Sequence, residues 1–240
     1  MHKMKESKTR PTYDMWSRVY DMTFGPVVKK RQRRAISELR LKPGQRVLDL
    51  GVGTGVSLQF YPENVKVVGM DLSAGMLDKA QMKVDEEGYD HIKLVQADAM
   101  MPPFKAQSFD HVIITHVISV VSNPARLLEW AGKLVKPGGR VIVLNHFQSN
   151  HKVLGMLGKL FNPLFVKLGW RSDIVLSDCL RHTHLNVEYH FKLNPIDLWQ
   201  IVVMSDSVPY DGVDNRREVV IEREQHLEPT HLQPAMTSQP

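Results

Sequence analysis

The chain has a single cysteine, Cys179, in 240 residues. A disulfide framework is therefore excluded, as is a metal site built on several thiolates, and a reducing, cytoplasmic setting is the simplest reading. No run of eighteen uncharged apolar residues is present, so no ordinary transmembrane helix is expected. The first ten residues, MHKMKESKTR, lack the apolar core of a secretion signal. There are no internal repeats. Eleven histidines, above all His182, His184 and His190, raise the question of a metal. No H-E-x-x-H or Cys/His spacing accompanies them, so none is expected.

What is present is ordinary in amount and uneven in placement. A hydrophobic share of 42% and a charged share of 24% are those of a soluble globular protein, and the length suits one domain with extensions. Residues 1–46 hold thirteen Lys and Arg against four Asp and Glu, a net of +9 in a chain whose total is +5. Such a segment seeks an anionic surface, either phospholipid headgroups or nucleic acid.

The stretch that organises the chain is Val47 to Ser57, VLDLGVGTGVS. A short apolar run breaks into Gly51, Gly53 and Gly55, and an apolar helical pattern follows. A strand that stops at glycines and leads into a helix is expected to set bare backbone N–H groups against a ligand. The second strand, from Lys66, ends at Asp71-Leu72, where a carboxylate can take both hydroxyls of a ribose. The glycines run G-x-G-x-G, whereas a nicotinamide or flavin fingerprint wants G-x-G-x-x-G. Asp49 stands just before them and would repel a pyrophosphate, yet it suits an ammonium or sulfonium. S-adenosylmethionine has a ribose, an adenine, an amino-acid end and no phosphate, and the pattern favours it.

Strands and helices then alternate, which implies a parallel sheet covered on both faces. Ahead of it, Tyr13, Trp16, Val19, Tyr20 and Phe24 mark one helix. Pro26 opens a second that carries Lys29, Lys30, Arg31, Arg33 and Arg34 and runs to the Pro43-Gly44 break. A helix capped by Ser73 closes near Gly88. The third strand, Ile92 to Gln96, leads into Asp98 and Ala99, where an adenine amine can be accepted. The fourth, Phe109 to Thr115, empties into His116; a helix from Pro124 to Leu134 and a fifth strand from Arg140 to Leu144, ending at Asn145-His146, follow. Residues 151–170 are apolar and studded with Lys152, Lys159 and Lys167, as in a helix lying in a membrane interface or a lid. Leu185 to Leu193 and Ile196 to Met204 suit an antiparallel hairpin. Beyond it the pattern fades into a tail expected to be mobile.

These residues resemble a known family, the class I methyltransferases, and within it the bacterial phosphatidylethanolamine N-methyltransferases, whose core is similar to that of the quinone C-methyltransferases. The resemblance covers roughly residues 11–204. It rests on Tyr13-Asp14 to Tyr20-Asp21 with Phe24-Gly25-Pro26, on VLDLGVGTG, VVGMDLSAGMLDKA, Ala97-Asp98, HVISVVSNP and LVKPGGRVIVLNHF. It implies an α/β, Rossmann-like seven-stranded sheet whose last strand is antiparallel, preceded by N-terminal helices. It also implies stepwise methylation of a lipid amine towards phosphatidylcholine. By position, Asp49, Gly51, Gly53 and Gly55 would bind the methionine end of S-adenosylmethionine, Asp71 with Leu72 the ribose, and Asp98 with Ala99 the adenine. Tyr13 and Tyr20 would lie near the substrate amine.

The division expected is residues 1–42 for substrate and membrane contact, 43–204 for the methyltransferase core, and 205–240 for the tail. The partners expected are a phospholipid substrate and the inner face of the cytoplasmic membrane, reached through the five cations and residues 151–170, with no nucleic acid. His116 is the first candidate to accept the amine's proton, being also close to the cofactor, with His146 and the Tyr20 hydroxyl behind it. Tyr13 and Trp16 could hold a methylated ammonium; Arg18, Arg181 and Lys167 are candidates for the phosphate. The rival readings are a quinone-type C-methyltransferase and a soluble small-molecule methyltransferase. A base-modifying enzyme would want an Asn/Asp-Pro-Pro-aromatic exit where this chain reads Thr115-His116-Val117-Ile118.

Overall fold

A computed structural model describes residues 25–147, 174–194 and 197–206. The expected helix from Pro11, with Tyr13, Trp16, Arg18 and Tyr20, lies outside the described residues, as do residues 151–170 with Lys167 and the tail beyond 206.

Seven strands form one sheet. They are β1 (Arg46–Leu50), β2 (Lys66–Asp71), β3 (Ile92–Gln96), β4 (Phe109–Thr115), β5 (Val135–His146), β6 (Asn186–Phe191) and β7 (Trp199–Ser205), in the order β3-β2-β1-β4-β5-β7-β6. Strands β1 to β5 pair in parallel, while β7 runs antiparallel to both β5 and β6. The order reverses between β1 and β4, and ligands bind outside the carboxyl ends of strands at such a switch point. The fifth strand begins at Val135, earlier than the expected Arg140, because the Lys136-Pro137-Gly138-Gly139 stretch stays in the sheet with Gly138 at φ +74°.

Helices cover both faces, as near-continuous apolar strands require. On one face α1 (Gly25–Ser37) and α2 (Ala74–Glu87) bury Ala35, Ile36, Leu39, Leu77 and Ala80 against Val47, Val67, Ile113, Ile142 and Val203. On the other, α3 (Pro124–Leu134) and the short α4 (Leu176–Cys179) pack Leu127, Leu128, Ala131 and Cys179 over Leu48, Val112, Ile114 and Val143. The capping chemistry matches the sequence: Ser73 accepts from the Met76 N–H, and Gly88 closes α2 in the left-handed conformation. The helix expected after the glycines does not form. Only a 3-10 turn, Leu58–Phe60, fits before Pro62 starts the approach to β2.

The basic helix α1 is divided by its geometry. At roughly 100° per residue, Lys30 and Arg33 lie about 140–160° from Val28, whereas Arg31 lies only about 60° from it. Lys29, Lys30 and Arg33 are accordingly exposed, while Val28 and Gln32 are buried. Arg31 is drawn inward. Its Nη2 and Nε reach the Asp197 carboxylate at 2.8 and 3.0 Å, and its guanidinium lies 4.6 Å from the centroid of Trp199. Arg31 is therefore not part of an outward cationic face, which corrects its inclusion with the other four. Arg34 lies between the two cases, paired with Glu38 and set over the Phe191 ring with half its side chain exposed.

The Asp197 side chain is wholly buried. Breaking such a pair strands a guanidinium, at a cost of roughly 3–5 kcal/mol. Asp197→Ala should lower the unfolding free energy by that much, read as a fall in urea midpoint at unchanged slope. A loss below about 1 kcal/mol would mean that Arg31 recovers water instead.

Candidate active site

The carboxyl ends of β1, β2, β3 and β4 converge in sequence terms on the residues singled out above. Asp49, on β1, is fully buried. Its Oδ2 accepts from the Ser57 hydroxyl at 2.6 Å and the Tyr61 hydroxyl at 2.9 Å, while Oδ1 has no partner among the described residues. Burial pushes its pKa up to about 6, against the two hydroxyls that pull it down, and the Asp71 charge raises it further. A buried carboxylate with a spare oxygen and a neighbouring carboxylate is a place for a cation. The residues therefore fit the ammonium and sulfonium of S-adenosylmethionine. When bound, that cofactor supplies an electrophilic methyl group.

The glycines contribute shape more than donors. The Gly51 and Val52 N–H groups both donate to the Met70 carbonyl, at 2.7 and 3.0 Å, and Gly55 donates to Val52. The expectation of bare N–H groups is corrected here, because the loop satisfies them within the protein. Gly51 has φ +84°, and a Cβ there would collide with Val117. Gly53, at φ +57°, would place a Cβ with nothing within 4 Å. The Gly55 backbone lies close against Leu58 and Ala80. The Gly53 N–H donates at 2.9 Å to Asp71 Oδ2, and Ser73 N–H donates to Oδ1. Asp71 is thus fixed with lone pairs to spare for two hydroxyls, its pKa raised chiefly by burial. Leu72 beside it is exposed.

After β3, Asp98 Oδ1 accepts from the Met100 N–H at 2.8 Å, which folds the loop back over the strand end. Ala99 and Met100 pack against the core beneath it. Asp98 and Ala99 could border an adenine, with Met100 as soft apolar surface.

His116 follows β4 with φ +63° and donates its backbone N–H to Leu144 at 2.8 Å. Positive φ is uncommon outside glycine, though histidine is among the residues enriched there. Its Nε2 is buried and has no partner among the described residues. Burial, aided by Arg31, pushes its pKa down to about 4, so the ring is neutral at pH 7. Trp199 meets its edge at 6.2 Å between centroids. His146, at the end of β5, is also pushed down, by burial and Lys192. Arg181 lies away from these groups on the surface, paired with Asp178.

Ser57, Tyr61, Gln32, Thr115, Asp197 and Trp199 were not singled out in the sequence. Gln32 had a signal: it is the one polar side chain in the stripe Val28, Gln32, Ala35, Ile36, Leu39. Ser57 and Tyr61 lie only eight and twelve residues from Asp49 and Thr115 next to His116, without a marking pattern, whereas Asp197 meets Arg31 across 166 residues.

The Asp49 carboxyl sets a pH dependence. Its folded pKa exceeds the ordinary 3.8, so the fold holds that proton more tightly than the unfolded chain does. Its contribution to stability is greatest below about pH 4 and falls as pH rises to about 6, a loss of about 3 kcal/mol. A bound cation offsets this only when the carboxylate is charged. S-adenosylmethionine affinity should therefore be level near pH 7 and weaken up to tenfold per unit below about 6. His116 stays neutral over that window. Calorimetry should show proton release on binding at pH 5, and Asp49→Asn should abolish the slope while leaving any due to Asp71. A flat wild-type profile would remove the cation assignment.

Comparison with known proteins agrees with this geometry. A family described as a methyltransferase domain matches residues 48–143. The chain is 34% identical over 185 residues to the phosphatidylethanolamine N-methyltransferase of Cereibacter sphaeroides, covering 77% of this chain and 90% of that one. It is 27% identical over 193 residues to a demethylmenaquinone methyltransferase of Bacillus cereus, covering 72% and 81%. Among solved structures, geranyl diphosphate C-methyltransferase from Streptomyces coelicolor, in complex with Mg2+, geranyl diphosphate and S-adenosyl-L-homocysteine, superposes with a TM-score of 0.59. It is 13% identical and covers 74% of this chain and 77% of its own, a likeness of fold alone. With the ligand chemistry, the sheet order and these relatives in agreement, the chain belongs to the class I S-adenosylmethionine-dependent methyltransferases.

Proposed function

We propose that this methyltransferase acts on the amine of phosphatidylethanolamine and of its mono- and dimethyl forms, towards phosphatidylcholine. The observation that carries the reading is His116, a neutral imidazole at the exit of the switch-point strand whose buried Nε2 has no partner among the described residues. Methyl transfer is an in-line displacement, so the protein must chiefly align a lone pair with the sulfonium carbon and exclude water. A ring with pKa near 4 does not hold a proton at pH 7. Its use is to accept an amine N–H as a hydrogen bond and turn the lone pair towards the methyl. Greater identity to the phospholipid enzyme than to the quinone enzyme supports the lipid amine as acceptor.

The quinone reading keeps one specific support, the 27% identity over most of the chain. Expression in a bacterial host that lacks phosphatidylcholine separates the two. Methylated phosphatidylethanolamines should appear in lipid extracts; altered quinones beside an unchanged phospholipid profile would overturn the proposal. Asparagine also tolerates positive φ, so His116→Asn should keep the fold and the cofactor affinity and lose roughly a hundredfold in kcat.

No helix among the described residues is long and apolar enough to cross a membrane. The proposal accordingly includes peripheral attachment at the inner membrane face, with the exposed Lys29, Lys30 and Arg33 and the half-exposed Arg34 towards anionic headgroups. Each such cation contributes about 1 kcal/mol near an anionic surface. Binding to phosphatidylglycerol-containing vesicles should fall steeply between 50 and roughly 300 mM salt, and again when these four are changed to Gln. Indifference to both would return the helix face to plain solvation.

A further inference from the structure

A second buried acceptor lies beside His116. Gln32 on α1 is 7% exposed and donates from Nε2 to the Thr115 hydroxyl at 3.2 Å, while its Oε1 is buried with no hydrogen-bond partner among the described residues. Thr115 is the residue immediately before His116, whose Nε2 is the other such atom at this strand end. Orphaned buried acceptors are rare, since each forfeits the hydrogen bonds it had in water. Two such atoms, one on the side chain bonded to Thr115 and one on the residue that follows Thr115, with the His116 ring proton on Nδ1, point to a ligand that donates twice.

The surroundings explain why both stay in place. Arg31, next to Gln32 in α1, is tied to the buried Asp197, and its guanidinium lies over Trp199, whose edge meets the His116 ring. The helix, the strand exit and the start of β7 are thereby joined as one wall. Gln32 itself can turn little, held at Nε2 by Thr115.

We infer that Gln32 Oε1 and His116 Nε2 together form a two-acceptor cradle that recognises an amine by the number of N–H groups it still carries. The inference rests on the lipid-amine reading above. A neutral primary amine offers two N–H groups and one lone pair. Both acceptors are filled, and the lone pair is left facing the methyl. In the transfer the C–S bond breaks, its electron pair returns to sulfur, and the nitrogen lone pair forms the new C–N bond. The resulting ammonium gives a proton to solvent before the next round. The monomethyl amine then fills one acceptor and the dimethyl amine neither. Gln32 is therefore a specificity-determining residue for the first transfer, and its importance decreases with each methyl added.

This ordering separates the role from a merely structural one. Initial rates are measured on phosphatidylethanolamine and its monomethyl and dimethyl forms in mixed micelles, for wild type, Gln32→Met and Gln32→Glu. The thermal midpoint and S-adenosylmethionine affinity are measured alongside. Gln32→Met, of similar size but without the acceptor, should lower the ratio of first-step to third-step kcat/KM about tenfold, the worth of one hydrogen bond at a desolvated nitrogen. Gln32→Glu, which the Thr115 hydroxyl can approach as donor, should restore that ratio. Equal losses at all three steps, or a ratio unmoved in Gln32→Met, would overturn the cradle while leaving the lipid reading intact. A wild-type enzyme that methylates none of the three lipids overturns the lipid reading and the cradle with it.

Discussion

Much of this molecule follows from one unfavourable placement, a carboxylate buried at the end of a central strand with no cation paired to it among the described residues. Asp49 is fully buried, and its pKa is raised to about 6 even with two hydroxyls donating to one oxygen. Asp71 stands close enough to raise it further. A fold does not hold two desolvated acids together for its own stability. The loop between them is shaped accordingly: Gly51 and Gly53 adopt positive φ, and the Gly53 N–H ties the loop to Asp71. A cationic nucleoside at the strand ends would offset that charge.

The basic N-terminal helix shows the same logic with the opposite sign. A run of like charges reads as one feature in sequence, but the helix distributes it. Cations that fall opposite the apolar stripe stay in solvent, whereas Arg31, at the stripe's border, is neutralised by Asp197 and stacked on Trp199. That pair fixes α1 against the last strand and so brings Gln32 to the end of β4. One arginine of the cluster thus builds the wall of the site, and its neighbours remain available to a surface outside it.

The sheet was legible because its determinants are local. Apolar runs bounded by glycine and proline give β1 to β5, and the hairpin strands differ from expectation only at their ends, with β6 at Asn186–Phe191 and β7 at Trp199–Ser205. Asp49, the three glycines and Asp71 stand out in the sequence because strand, glycines and second-strand acid follow one another at short spacing. The partners of these residues were not. Tyr61 reaches Asp49 across twelve residues, Gln32 reaches Thr115 across eighty-three, and Arg31 reaches Asp197 across 166. No periodicity encodes such meetings; they exist only after the sheet has set the order of its strands. The missing helix after the glycines has a similar cause. The apolar pattern was present, but Pro62 and the return to β2 left room for a single turn.

This separation between local and long-range determinants also divides the site by function. The groups suited to the cofactor lie on β1, β2 and β3 and are set by residues close in sequence. The groups that the proposal gives to the acceptor, His116 after β4 and Gln32 on α1, are held by contacts between distant parts of the chain. Relatives with different acceptors in their names align with this chain over 185 and 193 residues. The match of residues 48–143 to a methyltransferase domain spans Asp49 to β5 and leaves out Gln32, Arg31, Asp197 and Trp199. The shared stretch holds the cofactor-side residues together with His116, and Gln32, Arg31, Asp197 and Trp199 meet it from outside. Among the described residues that edge is a neutral imidazole, an amide oxygen without a hydrogen-bond partner and an indole under a guanidinium, the acceptors and aromatic faces that the proposed amine substrate would meet.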